Sequence, residues 1–164
     1  MSAASRRSRA PADAIQLLTA DHKEVRTLFK AYSQLIHAEG GDDEKQMLAL
    51  EICTQLTVHA TIEEEFFYAA ARQMLAGDED LVDVADVKHA CAKELIMQIV
   101  RSAPADPLYD ARLRVLSEHV DHHVKEEEDE LFPKLRSSGL DVHALGQAMA
   151  ARRDDLLAEM AGAE

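Results

Sequence analysis

The chain has 164 residues, 47% hydrophobic and 30% charged, which excludes a disordered polymer and is enough for one domain with its own core. A formal net charge of −13 disfavours a nucleic-acid or anionic-membrane surface, because phosphate is repelled overall. Aromatics at 4%, with six glycines and four prolines, suit long helices better than many short strands.

Residues 1–11 are rich in Arg and Ser and no apolar stretch follows them, so they read as a disordered tail rather than a secretory or twin-arginine leader. Breaks at Gly40-Gly41-Asp42-Asp43, Gly77-Asp78, Ala103-Pro104-Ala105-Asp106-Pro107 and Ser137-Ser138-Gly139 divide the remainder into five helical segments. These are predicted over 12–38, 43–76, 80–102, 107–137 and, as a shorter fifth helix, 141–161. Pro107 suits the first turn of the fourth, and Asp141 suits the N-cap of the fifth. The expected organisation is an all-α, up-down-up-down four-helix bundle over 12–137, with residues 138–164 forming a C-terminal helix packed on it. No apolar run approaches the ~20 residues of a membrane span, and a cytoplasmic location is expected.

Each of the first four segments carries an apolar stripe at alternating three- and four-residue spacing. Each stripe is interrupted by a histidine. The first reads Ile15, Leu18, His22, Val25, Phe29, Tyr32, Ile36; the second Leu48, Ile52, Leu56, His59, Glu63, Phe66, Ala70. The third reads Val82, Ala85, His89, Ala92, Ile96, Ile99; the fourth Leu116, Val120, His123, Glu127, Leu131. His22 is followed 37 residues later by His59-x-x-x-Glu63, and His89 is followed 34 residues later by His123-x-x-x-Glu127, an approximate tandem repeat.

Residues four apart share a helix face, so His-x-x-x-Glu presents an imidazole nitrogen and a carboxylate oxygen to one small volume. Imidazole with carboxylate favours a first-row transition metal over calcium or magnesium. A single such pair arises easily by chance on a charged helix, and a lone inward histidine is usually a hydrogen-bonded core residue. Six of these groups at one depth are different. Left unpaired they would cost several kcal/mol each, against a net stability of about 5–15 kcal/mol. The set His22, His59, Glu63, His89, His123 and Glu127 therefore reads as a metal site. Cys53 and Cys91 form neither a disulfide framework nor a C-x-x-C pair, and both read as small buried hydrophobes.

Three stretches, DHKEV around His22, HATIEEEFFY and HVKEEEDELFP, resemble the hemerythrin-like HHE cation-binding domain over most of residues 12–136. The resemblance implies a left-handed four-helix bundle holding two iron ions bridged by carboxylates and an oxo or hydroxo group. It makes His22, His59, His89 and His123 terminal ligands and Glu63 and Glu127 the bridges. Zinc and manganese remain compatible with the donor set. His122/Glu126 has the same spacing as His123/Glu127, but the family places Leu-Phe-Pro eight to ten residues after its histidine. Leu131-Phe132-Pro133 thus selects His123 and leaves His122 exposed.

One departure from the family matters. Oxygen-carrying members place two histidines one turn apart on the third helix, and here the position before His89 is Ala85. About one coordination position per iron is then open, which suits O2, hydrogen peroxide or NO. Three roles are open for His119, one turn before His123: a fifth histidine ligand, a group orienting a ligand, or a core residue one layer away. Asp86 is expected to support the ligands at most. Tyr68 and Tyr32 read as packing residues, with support of the ligands as the other reading. His37 and His143 are expected at the surface. The implied function is a di-iron protein of oxidative or nitrosative stress or iron handling, with catalase-like turnover as its enzymatic form. The alternative is a non-enzymatic sensor, carrier or iron store.

Overall fold

The computed structural model describes residues 12–163, and the tail expected over 1–11 lies outside them. Helix α1 is Ala14–His37, opened by Asp13, whose side chain accepts from the Gln16 amide while Gln16 returns a bond to the Asp13 amide. Helix α2 spans 42–74: it is α-helical over Asp42–Ile62 and Tyr68–Met74, with a π-helical turn, Glu63–Phe67, between them. Helix α3 is Glu79–Val100. Helix α4 spans 109–136, with α-helical Tyr109–Glu126 and Phe132–Arg136 flanking a second π-helical turn, Glu127–Leu131. Helix α5 is Val142–Gly162, capped by Asp141 through the Ala144 amide.

Two expectations need correction. Pro107 lies in the turn before α4, which starts at Tyr109, because the Asp106 carboxylate has already captured the Leu108 amide and turned the chain. The second and fourth helices are not continuous α-helices, since each holds a π-turn in which the carbonyl of its glutamate accepts from the amide five residues on.

Helices α1 to α4 form the bundle, with α1 against α2 and α4, and α3 against α2 and α4. Helix α5 lies outside it on α1 and α2. Gly139, at φ +83, turns the chain back for this docking, and Gly146 allows it: a Cβ there would sit 2.7 Å from the backbone of residues 12–14. The core is in two parts. One contains Leu18, Ile62, Phe67, Ala85, Leu131, Phe132 and, from α5, Met149. The other contains Val25, Phe29, Ile52, Leu56, Leu113, Leu116, Val120 and Val124. Fully burying one such large side chain contributes roughly 1.5–3 kcal/mol. Between the two parts lies a single polar layer.

Candidate metal centre

The polar layer consists of His22, His59, Glu63, His89, His123 and Glu127, all buried. His22 comes from α1, His59 and Glu63 from α2, His89 from α3, and His123 and Glu127 from α4. The stripe places each inward because its helical neighbours three and four residues away are core residues. Within the layer the donors form two groups. His22, His59, Glu63 and Glu127 converge on one side, and Glu63, His89 and His123 on the other, with Glu63 common to both.

Glu63 faces both ways. Its Oε1 contacts the Nε2 of His59 and lies 3.9 Å from that of His22, while its Oε2 is 3.7 Å from the Nε2 of His89. Glu127 Oε1 lies 2.9 Å from His123 Nε2 and 3.6 Å from His22 Nε2. The Nε2 atoms of His89 and His123 are 3.1 Å apart. Two donors at right angles on one ion, each about 2.1 Å from it, would be about 3.0 Å apart, so this spacing matches neighbouring positions on one metal.

A further sign is the unmet polar demand. Among the described residues, the buried side-chain atoms without a hydrogen-bond partner are His22 Nε2, both Glu63 oxygens, Glu127 Oε1 and, elsewhere, the Tyr109 hydroxyl. An unmet buried group costs about 1–3 kcal/mol, more when charged, and a cation between the carboxylates removes that cost. The donor set therefore fits a pair of first-row metal ions.

Without metal, protons balance the carboxylates. Burial alone would lower the His22 imidazole, but Glu127 and Glu63 outweigh it and raise it to about 9. His59 behaves alike: burial is overcome by Glu63 and Asp21, and its value is raised to about 10. His123 is also raised, Glu127 prevailing over burial. Burial pushes Glu63 up, but His59 and His22 hold it well below the ordinary carboxylate range.

The opposite edge of three rings is fixed by carboxylates. Nδ1–H of His22 donates to Glu128 at 3.0 Å, that of His59 to Asp21 at 3.0 Å, and that of His89 to Glu64 at 3.1 Å. Such partners set the tautomer and leave Nε2 free to bind metal. Glu64 and Glu128 each follow an inward glutamate, an equivalence that the repeat contains, though spacing alone did not point to it.

Tyr68 is more than packing. Its hydroxyl is fully buried, 3.1 Å from His89 Nε2 and 3.2 Å from His123 Nε2, and it donates to Glu127 Oε2 at 3.2 Å. It stands against the second donor group, at His89 and His123. In the other half of the repeat the equivalent residue, five after the glutamate, is Phe132, which stacks on His22 at 5.7 Å. At this position the two halves differ by one hydroxyl.

The remaining candidates separate. His119 is not one of the converging donors; its Nε2–H donates to the Lys88 carbonyl at 2.9 Å and its ring lines a cavity beside the layer. Asp86 does not support the ligands, because it pairs with Arg72 at the surface. Tyr32 is held in the other half of the core, donating to Asp110 at 2.7 Å. His122 is exposed and pairs with Glu126, and His37 and His143 are also at the surface. Cys53 is buried as expected, but Cys91 is exposed: two residues beyond His89, it lies on the outer face of α3. The cavity has a volume of about 40 Å³ and is walled largely by Val25, Leu56, Ala92, Ile96, Val120 and Val124 beside the histidines.

The model of the hemerythrin HHE cation-binding domain matches residues 13–135. A DNA nickase of Nostoc sp. (strain PCC 7120 / SAG 25.82 / UTEX 2576) is 33% identical over 119 residues, which are 72% of this chain. The chain spans only 32% of that relative's length. In fold, the chain is similar to the crystal structure of an HHE cation-binding domain-containing protein, the Rv2633c homologue from Mycobacterium kansasii. The TM-score is 0.72 at 22% identity, covering 88% of this chain and 87% of the other.

Proposed function

Because the chain belongs to the hemerythrin HHE cation-binding domain family, we propose that it is a non-haem di-iron protein whose centre binds and reacts with O2, NO or hydrogen peroxide. His22 and His59 would hold one iron, and His89 and His123 the other. Glu63 and Glu127 would bridge them, and Tyr68 stands at the second. Two irons so held would supply reversible binding of a diatomic ligand and redox chemistry on peroxide.

The observation that carries this reading is the pairing of two donor groups that share Glu63 with a small cavity beside them. At about 40 Å³ the cavity has room for a ligand about the size of water or a diatomic. Its wall is mainly aliphatic, and the polar residues on it outside the donor set are Asp21, Thr57, Lys88, Lys93 and His119, of which His119 already donates to the Lys88 carbonyl. The carboxylates on Nδ1 of three histidines hold the rings in place while the ligand enters or leaves.

Metal analysis with an optical spectrum of the purified protein tests the centre. Two irons per chain and near-ultraviolet oxo-to-iron bands are expected, and stoichiometric zinc would refute the redox reading. Oxygen evolution from peroxide above that of free iron tests catalase-like turnover. The aliphatic cavity wall favours a second reading, reversible O2 or NO binding without turnover, as in a sensor, carrier or store. DNA nicking is no part of the proposal, since the net charge of −13 opposes a phosphate backbone.

A further inference from the structure

The family match ends at residue 135, yet a side chain beyond it contacts a carboxylate that backs one of the metal-layer histidines. Arg153, on α5, donates through its guanidinium to Oδ2 of Asp21. The same oxygen accepts from Nδ1–H of His59 at 3.0 Å. Asp21 and Arg153 are both mostly buried side chains, 17% and 26% exposed. This pair is therefore less open to solvent screening than an ordinary surface bridge.

The other two carboxylates on metal-layer histidines show what this contact adds. Glu64, on His89, is held by Lys93 at 2.6 Å, a cation from within the bundle. Among the described residues, no lysine or arginine pairs with Glu128, on His22. Asp21 takes its cation from outside the bundle. Helix α5 is built to deliver it: Gly146 permits close approach to residues 12–14, Met149 is fully buried, and Arg152 pairs with Glu65 at 2.9 Å. These residues recur at the three- to four-residue spacing of one helix face, and Arg153 follows at its end.

We propose that Arg153 is a positioning residue of the metal centre. By fixing the Asp21 carboxylate it holds the His59 ring with Nε2 toward Glu63, so that α5 controls how firmly the iron on His22 and His59 is retained. The inference rests on the di-iron reading above. Removing a group that orients a metal ligand typically costs 10–100-fold in metal affinity. Arg153 acts one bond further out, and the lower end of that range applies.

The test is release of iron from the loaded full-length protein to a strong chelator, followed optically, in wild type, Arg153→Ala, Arg153→Lys, Asp21→Asn and Arg152→Ala. The expected result for Arg153→Ala is two phases: one iron leaves ~10-fold faster and the other at the wild-type rate. Arg153→Lys should restore most of the difference, because a point charge suffices for a single contact. Asp21→Asn should reproduce the fast phase, and adding Arg153→Ala to it should change little further. Arg152→Ala removes a comparable α5 pair that does not touch Asp21, and it should release both irons as wild type does. Equal release from Arg153→Ala and wild type would overturn the proposal. So would the same acceleration in Arg152→Ala, which would assign the effect to docking of α5 as a whole. Wild-type protein carrying no iron would overturn the di-iron reading, and this role with it.

Discussion

Replacing Glu63 by Gln keeps the shape of the side chain and removes its charge, and the consequences can be worked out for both states. Glu63 is fully buried and its carboxylate lies within 4 Å of His22, His59 and His89. A unit charge pair at 4 Å is worth about 4 kcal/mol at the effective dielectric of a protein site, before desolvation is counted. Removing one partner of a buried pair costs about 3–5 kcal/mol net, which for a chain of this size lowers the melting temperature of the metal-free protein by on the order of 10 °C. Metal makes the effect larger. Glu63 belongs to both donor groups, so the substitution weakens both positions at once. If each metal normally saturates the site at 100 times its Kd, it contributes about 2.7 kcal/mol, and the variant forfeits most of this. Iron per chain and melting curves with and without chelator measure both terms. Glu63→Gln is expected to fall well below two irons and to lose most of the shift that chelation causes in wild type. Two irons held as firmly as in wild type would refute the bridging role.

The metal-free protein should lose stability as pH rises. His22 and His59 have folded values of about 9 and 10 against 6.5 unfolded, so their contribution is complete below about 6.5 and is lost as pH climbs through 9–10. Melting curves from pH 6 to 10 should therefore fall for the metal-free form and stay flatter for the loaded one; parallel curves would contradict the proton-for-metal exchange. Tyr68→Phe should keep two irons, because four histidines and both carboxylates remain, but shift the optical spectrum; an unchanged spectrum would put the phenol outside the centre. Gly146→Ala forces a Cβ to 2.7 Å from the backbone of residues 12–14 and should cost about 1–3 kcal/mol in thermal or urea unfolding. A neutral result there would mean that α5 does not press on α1 as described.

Much of the centre was legible because its grammar is local. A histidine in an apolar stripe and a glutamate four residues later share a helix face whatever surrounds them, and four such stripes with short connections face one interior. The structure accordingly brings His22, His59, Glu63, His89, His123 and Glu127 into one buried layer. Tyr68 escaped the same rule for a physical reason. Five residues after Glu63, it would lie about 140° away on a straight α-helix, since each residue turns about 100°. The π-turn at Glu63–Phe67 takes up one extra residue and brings the hydroxyl back to the layer. Cys91 was misplaced for a plainer one: its apolar neighbours in sequence were followed instead of its position, two residues past His89 and off the α3 stripe.

By itself, then, the sequence determined the helices, the inward face of each and the six donors that face carries, because helical periodicity ties those properties to near neighbours. Only the tertiary structure decided which carboxylate backs which imidazole and how α5 joins the centre. Glu128 lies 106 residues from His22, and Arg153 lies 132 from Asp21. Contacts at such separations depend on how helices dock, and docking is set by packing of the whole core and by the space left at Gly146. The donor set is a property of the helices taken singly; the forces that hold it in place belong to their assembly.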